Sequence, residues 1–170
     1  IDDMILISVD DHVVEPPTVF DNHLAQKYKD RAPRSVRKKN GAEMWVFGDR
    51  QLPNIGLNAV VGRTPEEYGM EPTAYDQMRP GCYDVNERVR DMNVNGVLAQ
   101  MCFPSFPQFS GSLFAGTEDK DLALALVRAY NDCHIDELSG SHPGRFIPPS
   151  LPPVWDPQLT AQEVRRVARQ

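Results

Sequence analysis

The chain holds 170 residues, with 18 Lys+Arg against 24 Asp+Glu, a formal net charge of −6 and 41% hydrophobic residues. That length admits one ordinary domain with a sizeable core, and the acidic balance argues against nucleic-acid or anionic-membrane partners, which need a basic face. No apolar run approaches the roughly 20 residues of a bilayer span, and no leader or basic transit pattern is legible, which predicts a cytoplasmic address. Three cysteines (Cys82, Cys102, Cys133) without a CxxC pair indicate neither a disulfide framework nor a zinc knuckle. The least ordinary feature is proline: 15 residues, well above the average of about 5%. With this much apolar content, that density predicts many ordered loops rather than disorder.

Taken in chain order, Met4 to Val9 (MILISV) reads as a strand buried on both faces. A segment of roughly sixty residues follows, taken as an insertion or cap over 20–83, long enough to suggest a functional role. It contains a predicted hairpin, Ala42 to Phe47 returning through Gly48-Asp49 to Gln51-Leu52, and a Gly/Pro-rich stretch over 53–83. Interior proline removes a backbone donor, so regular structure belongs in the proline-free windows 34–52, 81–103 and 108–142. Asp84-Val-Asn-Glu87 is a capping-box-like helix start; Val85, Val89 and Met92 then share a face, and Asn95-Gly96 supplies the stop. Gly96 to Phe103 (GVLAQMCF) reads as a second buried strand ended by Pro104.

Thr117 is placed as the cap of a long helix carrying Leu122, Leu126, Ala129, Tyr130 and Cys133 and ending near Gly140. Arg145-Phe146-Ile147 opens a third short strand toward Ser150 and Leu151. A last helix opens at Thr160-x-x-Glu163, with a Leu159–Val164 staple and Arg165, Arg166 and Arg169 on its exposed side. Helix and strand alternate from residue 84 onward, which predicts an α/β fold with a parallel sheet and right-handed crossovers.

The first strand delivers Asp10-Asp11-His12-Val13-Val14-Glu15-Pro16. Residues two apart in an extended chain point the same way, so Asp10 and His12 face together and Asp11 faces away. A carboxylate beside an imidazole is half of a divalent-metal site, and active sites of parallel α/β folds lie at this strand end. The plainer alternative makes Asp10 a turn cap and His12 a hydrogen-bonded core histidine. Phe103, Ser105 and Phe106, with Phe109, leave the second strand at the same end and are candidates for a substrate pocket; a packed Pro-Phe loop is the alternative. His23 reads as a surface-loop residue, His134 as a surface or packing residue, and His142 lies at the foot of a strand. Cys102 reads as a small core residue, and Trp45 and Trp155 as structural anchors. No G-x-S-x-G, P-loop or G-x-G-x-x-G occurs, which leaves serine-hydrolase, nucleotide-triphosphatase and dinucleotide functions without motifs.

D-x-H-x-x-E-P after the first strand resembles the opening of the amidohydrolase-superfamily branch that contains aminocarboxymuconate-semialdehyde decarboxylase. MRPGCYD (Met78 to Asp84), ERVRDMNVNGV (Glu87 to Val97), CFPSFP (Cys102 to Pro107), AYND (Ala129 to Asp132) and PGRFIPPSLPPVWDP (Pro143 to Pro157) resemble its successive blocks. The resemblance implies a (β/α)8 TIM barrel with one divalent metal, whose members are hydrolases or non-oxidative decarboxylases of small molecules. It makes Asp10 and His12 metal ligands and gives Glu15 a supporting, orienting role. Where many members carry His-x-His this chain has Asp, a harder ligand that leaves manganese or iron open beside zinc. The remaining ligands, a His and an Asp from later strands, have no counterpart in this sequence, so they and the general acid or base are expected downstream of Gln170.

Such a barrel takes roughly 250 residues, whereas three strands cannot close one. The chain is therefore expected to be a partial TIM-barrel domain, about three βα units spanning 1–170, from the N-terminal portion of a larger enzyme that is a homo-oligomer. The expected function is a metal-dependent hydrolase working through activated water on a small, carboxylated or aromatic substrate. The alternatives are a decarboxylase on the same site and a non-catalytic half that needs the remainder of the barrel, in the same or a second chain.

Overall fold

The computed structural model describes residues 4–53, 59–69 and 73–170. In chain order its elements are β1 (Leu6–His12), α1 (Gln26–Lys29), β2 (Arg34–Arg37), β3 (Glu43–Phe47), β4 (Arg50–Pro53), α2 (Val85–Val94), β5 (Val97–Phe103), α3 (Ser112–Ala115), α4 (Lys120–Cys133) and α5 (Pro157–Val167). β1 and β5 are parallel neighbours, and a single parallel bridge, Gln100 to Phe146, adds the segment after α4. Three successive chain segments thus lie side by side in sequence order with a helix between each pair, as the alternating pattern predicts.

The third strand is shorter than expected. Gln100 N donates to the Arg145 carbonyl at 2.9 Å and Ile147 N to the Gln100 carbonyl at 2.8 Å, and the ladder ends there. Pro148, Pro149, Pro152 and Pro153 have no amide hydrogens to continue it. Arg145 extends the join with its side chain, donating to the carbonyls of Leu98 and Val97.

The expectation of strands buried on both faces is also corrected. Leu6, Ile7 and Val9 of β1 are 46–60% exposed, and in β5 only Ala99 and Cys102 are buried. Helix α2 covers one face of the sheet with Val89 and Met92, packed on Val13, Cys102 and Phe146. No comparable layer covers the β1 surface among the described residues.

The predicted hairpin forms as β3 and β4 around Gly48 at φ +55°, and β2 adds a third antiparallel strand that the sequence reading missed. This sheet is built into the larger core. Trp45 and Phe47 pack with Phe106, Phe114, Leu126 and Tyr130, and the Trp45 and Phe106 rings stack at 4.3 Å.

Two helix starts move from their predicted places. Asp119, not Thr117, caps α4, accepting from Leu122 N at 3.0 Å. Asp156 caps α5 through Gln158 N and Leu159 N, with Pro157 preset for the first turn, so Thr160 lies inside the helix. Glu163 is consequently buried at 1% exposure rather than capping, and Val164 is half exposed. Arg166 is drawn inward by the same change, bonding to Glu163 and Asp132. Past α4, a π-helical turn (His134–Ser139) closes on Gly140, whose amide donates to the Ile135 carbonyl at 2.7 Å.

Candidate active-site cleft

The ends of β1 and β5, the loop after β5 and the proline segment 149–152 enclose a cleft of about 610 Å³. Asp10 and His12 both line it and are exposed, while Asp11 is half-buried and does not line it. The pairing is irregular beside them: between Ser8↔Gln100 and Asp11↔Cys102, two β1 residues, Val9 and Asp10, oppose one residue of β5. Asp11 Oδ1 accepts from Gln100 Nε2 at 3.4 Å, and its buried Oδ2 has no partner among the described residues. The His12 ring lies 6.2 Å from that of Phe103 at 47°, forming one wall.

The backbone of His12 is held from behind the sheet. Arg88 of α2 donates through Nη2 to the His12 carbonyl at 2.7 Å and through Nη1 to Gln100 Oε1 at 3.1 Å. The sequence carried a signal for this residue. Arg88 falls three after Val85 and four before Met92, a charge set into the apolar stripe of its helix.

Glu15 is 2% exposed and accepts three hydrogen bonds: from Ser105 N at 2.8 Å, Phe106 N at 3.0 Å and the Tyr130 hydroxyl at 2.8 Å. None of these goes to Asp10 or His12. Its carboxylate clamps the loop after β5 to the exit of β1, and burial raises its pKa against the pull of the Phe106 and Ser105 amides. Burial likewise holds the Tyr130 hydroxyl well above its usual range, with the Glu15 charge adding to it.

Ser105 lines the cleft, with its hydroxyl donating to the Val13 carbonyl at 2.7 Å. Phe106 is absent from this cleft: at 7% exposure it packs in the core on Trp45. The pocket wall at this strand end is instead Phe103 with Phe109, which is 91% exposed. Gln108 and Ser110 flank Phe109 with φ +64° and +51°, the left-handed region that non-glycine residues seldom occupy.

The other histidines lie apart from the cleft. His23 bonds to Glu137 at 3.0 Å and His142 to Asn86 at 2.9 Å, while His134 is buried against Tyr130. Among the described residues no three His, Cys, Asp or Glu side chains converge on a metal-sized site. Asp10 and His12 supply a carboxylate and an imidazole to one open cleft, which fits part of a divalent-metal ligand set. No helix among the described residues is long and apolar enough to cross a membrane.

Comparison with protein-family models yields no match, and neither does comparison with curated proteins. Among solved structures, the chain superposes on an amidohydrolase from Mycobacterium avium subsp. paratuberculosis K-10 with a TM-score of 0.66 and 23% identity, over 98% of this chain and 47% of that one. It superposes on 2,6-dihydroxybenzoate decarboxylase complexed with 2,6-dihydroxybenzoate with a TM-score of 0.52 and 15% identity, over 98% of this chain and 36% of that one. At these identities the likeness is one of fold, and the chain spans less than half the length of either neighbour.

Proposed function

We propose that this chain is the N-terminal portion of a metal-dependent, amidohydrolase-type TIM-barrel hydrolase acting on a small organic substrate. The observation that carries this reading is the shared cleft of Asp10 and His12 at the carboxyl ends of parallel strands, where such folds place their chemistry. Asp10 and His12 would hold one divalent ion, zinc foremost and manganese or iron by the hardness of Asp10, with the other ligands coming from the remainder of the barrel. Such an ion supplies Lewis acidity, which polarises a carbonyl and acidifies water.

The rest of the reading concerns this chain's own residues. Arg88 fixes the His12 backbone, Glu15 locks the loop that carries Ser105, and Phe103 and Phe109 present aromatic faces to a substrate entering the cleft. The bare apolar surface of β1 supports the need for a further part of the barrel, since an uncovered parallel edge is a pairing site.

Decarboxylation on the same site is the second reading, favoured by the aromatic wall and by the fold shared with a dihydroxybenzoate decarboxylase. The deciding experiment offers the complete protein aromatic carboxylic acids, and separately esters and amides, while following carbon dioxide and hydrolysis products. Hydrolysis without carbon dioxide supports the first reading, and carbon dioxide release supports the second. Turnover of either kind that survives His12→Ala would overturn both. A non-catalytic role would leave the intact barrel inert with every substrate.

A further inference from the structure

Phe109 is the most exposed of the large apolar side chains among the described residues, at 91%, although Phe106, Pro107, Leu113 and Phe114 on either side of it are buried. The backbone that presents it is strained. Gln108 has φ +64° and ψ −177°, a region that is essentially reserved for glycine, and Ser110 has φ +51° and ψ +28°. Such conformations persist only where the surroundings over-determine them. Here the Gln108 amide donates to the Ser105 carbonyl at 3.2 Å, the Gly111 amide to the Gln108 carbonyl at 3.2 Å and the Leu113 amide to the Pro107 carbonyl at 3.3 Å. The Ser112 hydroxyl donates to Gln108 Oε1 at 3.3 Å, and Glu15 holds the Ser105 and Phe106 amides just before the turn. The turn is thus fixed on both sides while the exposed Phe109 ring lines the cleft of Asp10 and His12. We propose that Phe109 is a specificity-determining residue, preset to stack on a substrate whose body is a flat, unsaturated ring and to discriminate against saturated bodies of the same charge.

The rest of the cleft agrees with that body. Its volume of about 610 Å³ holds one substituted ring. Phe103, Pro149, Leu151 and Pro152 supply further apolar wall, and Asp10 and His12 carry the only ionisable side chains lining it among the described residues. With no Lys or Arg in this lining, the wall offers a substrate anion no cation, so its grip falls on the uncharged body. An aromatic ring gains from another aromatic ring beyond the area the pair buries, whereas a saturated body gains from the area alone. A phenylalanine placed there only to pack against a further part of the protein would not sort ligands by flatness. This role rests on the cleft being the substrate site, as proposed above.

The test titrates the intact protein calorimetrically with benzoate and with cyclohexanecarboxylate, which share charge and carbon count and differ in flatness. The wild-type protein is expected to bind benzoate about three- to tenfold more tightly than cyclohexanecarboxylate. Phe109→Leu is expected to shrink that ratio to about twofold or less, and Phe109→Tyr, which keeps the ring, to preserve it. Wild-type protein that binds neither probe, or binds both equally, overturns the role even where a variant fails to fold. A preference that survives Phe109→Leu unchanged, with or without a loss of stability, overturns the assignment to Phe109. His12→Ala tells the two possible failures apart. Benzoate affinity that falls in His12→Ala but ignores Phe109→Leu keeps the metal site and removes the ring contact. Benzoate affinity that ignores His12→Ala while Phe109 still sets the ratio keeps the ring contact and removes the metal site from the cleft.

Discussion

The Tyr130 hydroxyl of α4 donates to the buried carboxylate of Glu15 at 2.8 Å, across 115 positions of sequence. The bond ties the second crossover helix to the exit of the first strand, and the same carboxylate holds the loop after β5 through two amides. The wall of the candidate cleft therefore depends on one acidic side chain that never enters the cleft.

Removing that donor tests the clamp. Tyr130→Phe leaves the buried Glu15 carboxyl with two donors in place of three and should cost about 1–3 kcal/mol. Burial raises the folded-state pKa of Glu15, so the folded chain holds this proton more tightly than the unfolded chain. Stability from this group is therefore fully present below the unfolded value of 4.5 and is lost as pH rises above it through the raised folded value. The penalty of Tyr130→Phe should accordingly shrink as pH falls, which urea-unfolding midpoints of both proteins at pH 7 and pH 4 would check.

His134 titrates with the opposite sign. Its folded pKa is lowered to about 4 from 6.5, so the unfolded chain takes the proton first. Stability is complete above 6.5 and is lost as pH falls toward 4, by about 3 kcal/mol in all. A His134→Gln variant should lose less stability across that window, measured as the difference in unfolding free energy between pH 7 and pH 4.5. Equal losses in the two proteins would show that other groups control the acid transition.

Asn131 substitutes for the missing third-strand ladder. Its side chain accepts from Leu151 N at 2.7 Å and donates to the Leu151 carbonyl at 3.0 Å, and Nδ2 also reaches the buried Glu163 at 2.8 Å. Asn131→Ala leaves a buried amide, a carbonyl and part of a carboxylate unpaired and should destabilise by about 2–4 kcal/mol. Amide hydrogen exchange should speed up selectively at Leu151 and in α5.

Much of this architecture was legible in the sequence because local rules and the fold agree. The Asp84 cap, the Asn95-Gly96 stop, the Gly48 turn and the Asp10/His12 pairing on one strand end all follow from short-range geometry. Where two capping candidates competed, spacing alone misplaced the start. Asp119 outweighed Thr117, and Asp156 with Pro157 outweighed Thr160, since a carboxylate suits the helix dipole and proline presets the first turn. The third strand was overread because Phe146 and Ile147 look strand-like while the prolines after them cannot pair. Phe106 shows the limit of side-chain type as a guide. Phe103 ends β5 and Phe106 stands three residues later in the loop after it, and the position of Trp45, some sixty residues earlier, separates the one that lines the cleft from the one that fills the core. The π turn that buries His134 left no such pattern. Gly140 accompanies it, since a Cβ there would sit 2.7 Å from the Asp136 carbonyl, but glycine at a helix end ordinarily signals a plain stop.

The central claim, that Asp10 and His12 form part of a metal site, is tested most directly by metal content. The intact protein would be purified as wild type, Asp10→Ala and His12→Ala, dialysed against a low-affinity chelator and analysed for zinc, manganese and iron. One divalent ion per chain in the wild type, with a loss of tenfold or more in affinity in each folded variant, is the predicted result. Metal retained at wild-type affinity in both folded variants, or no metal bound by the intact wild-type protein, would contradict it.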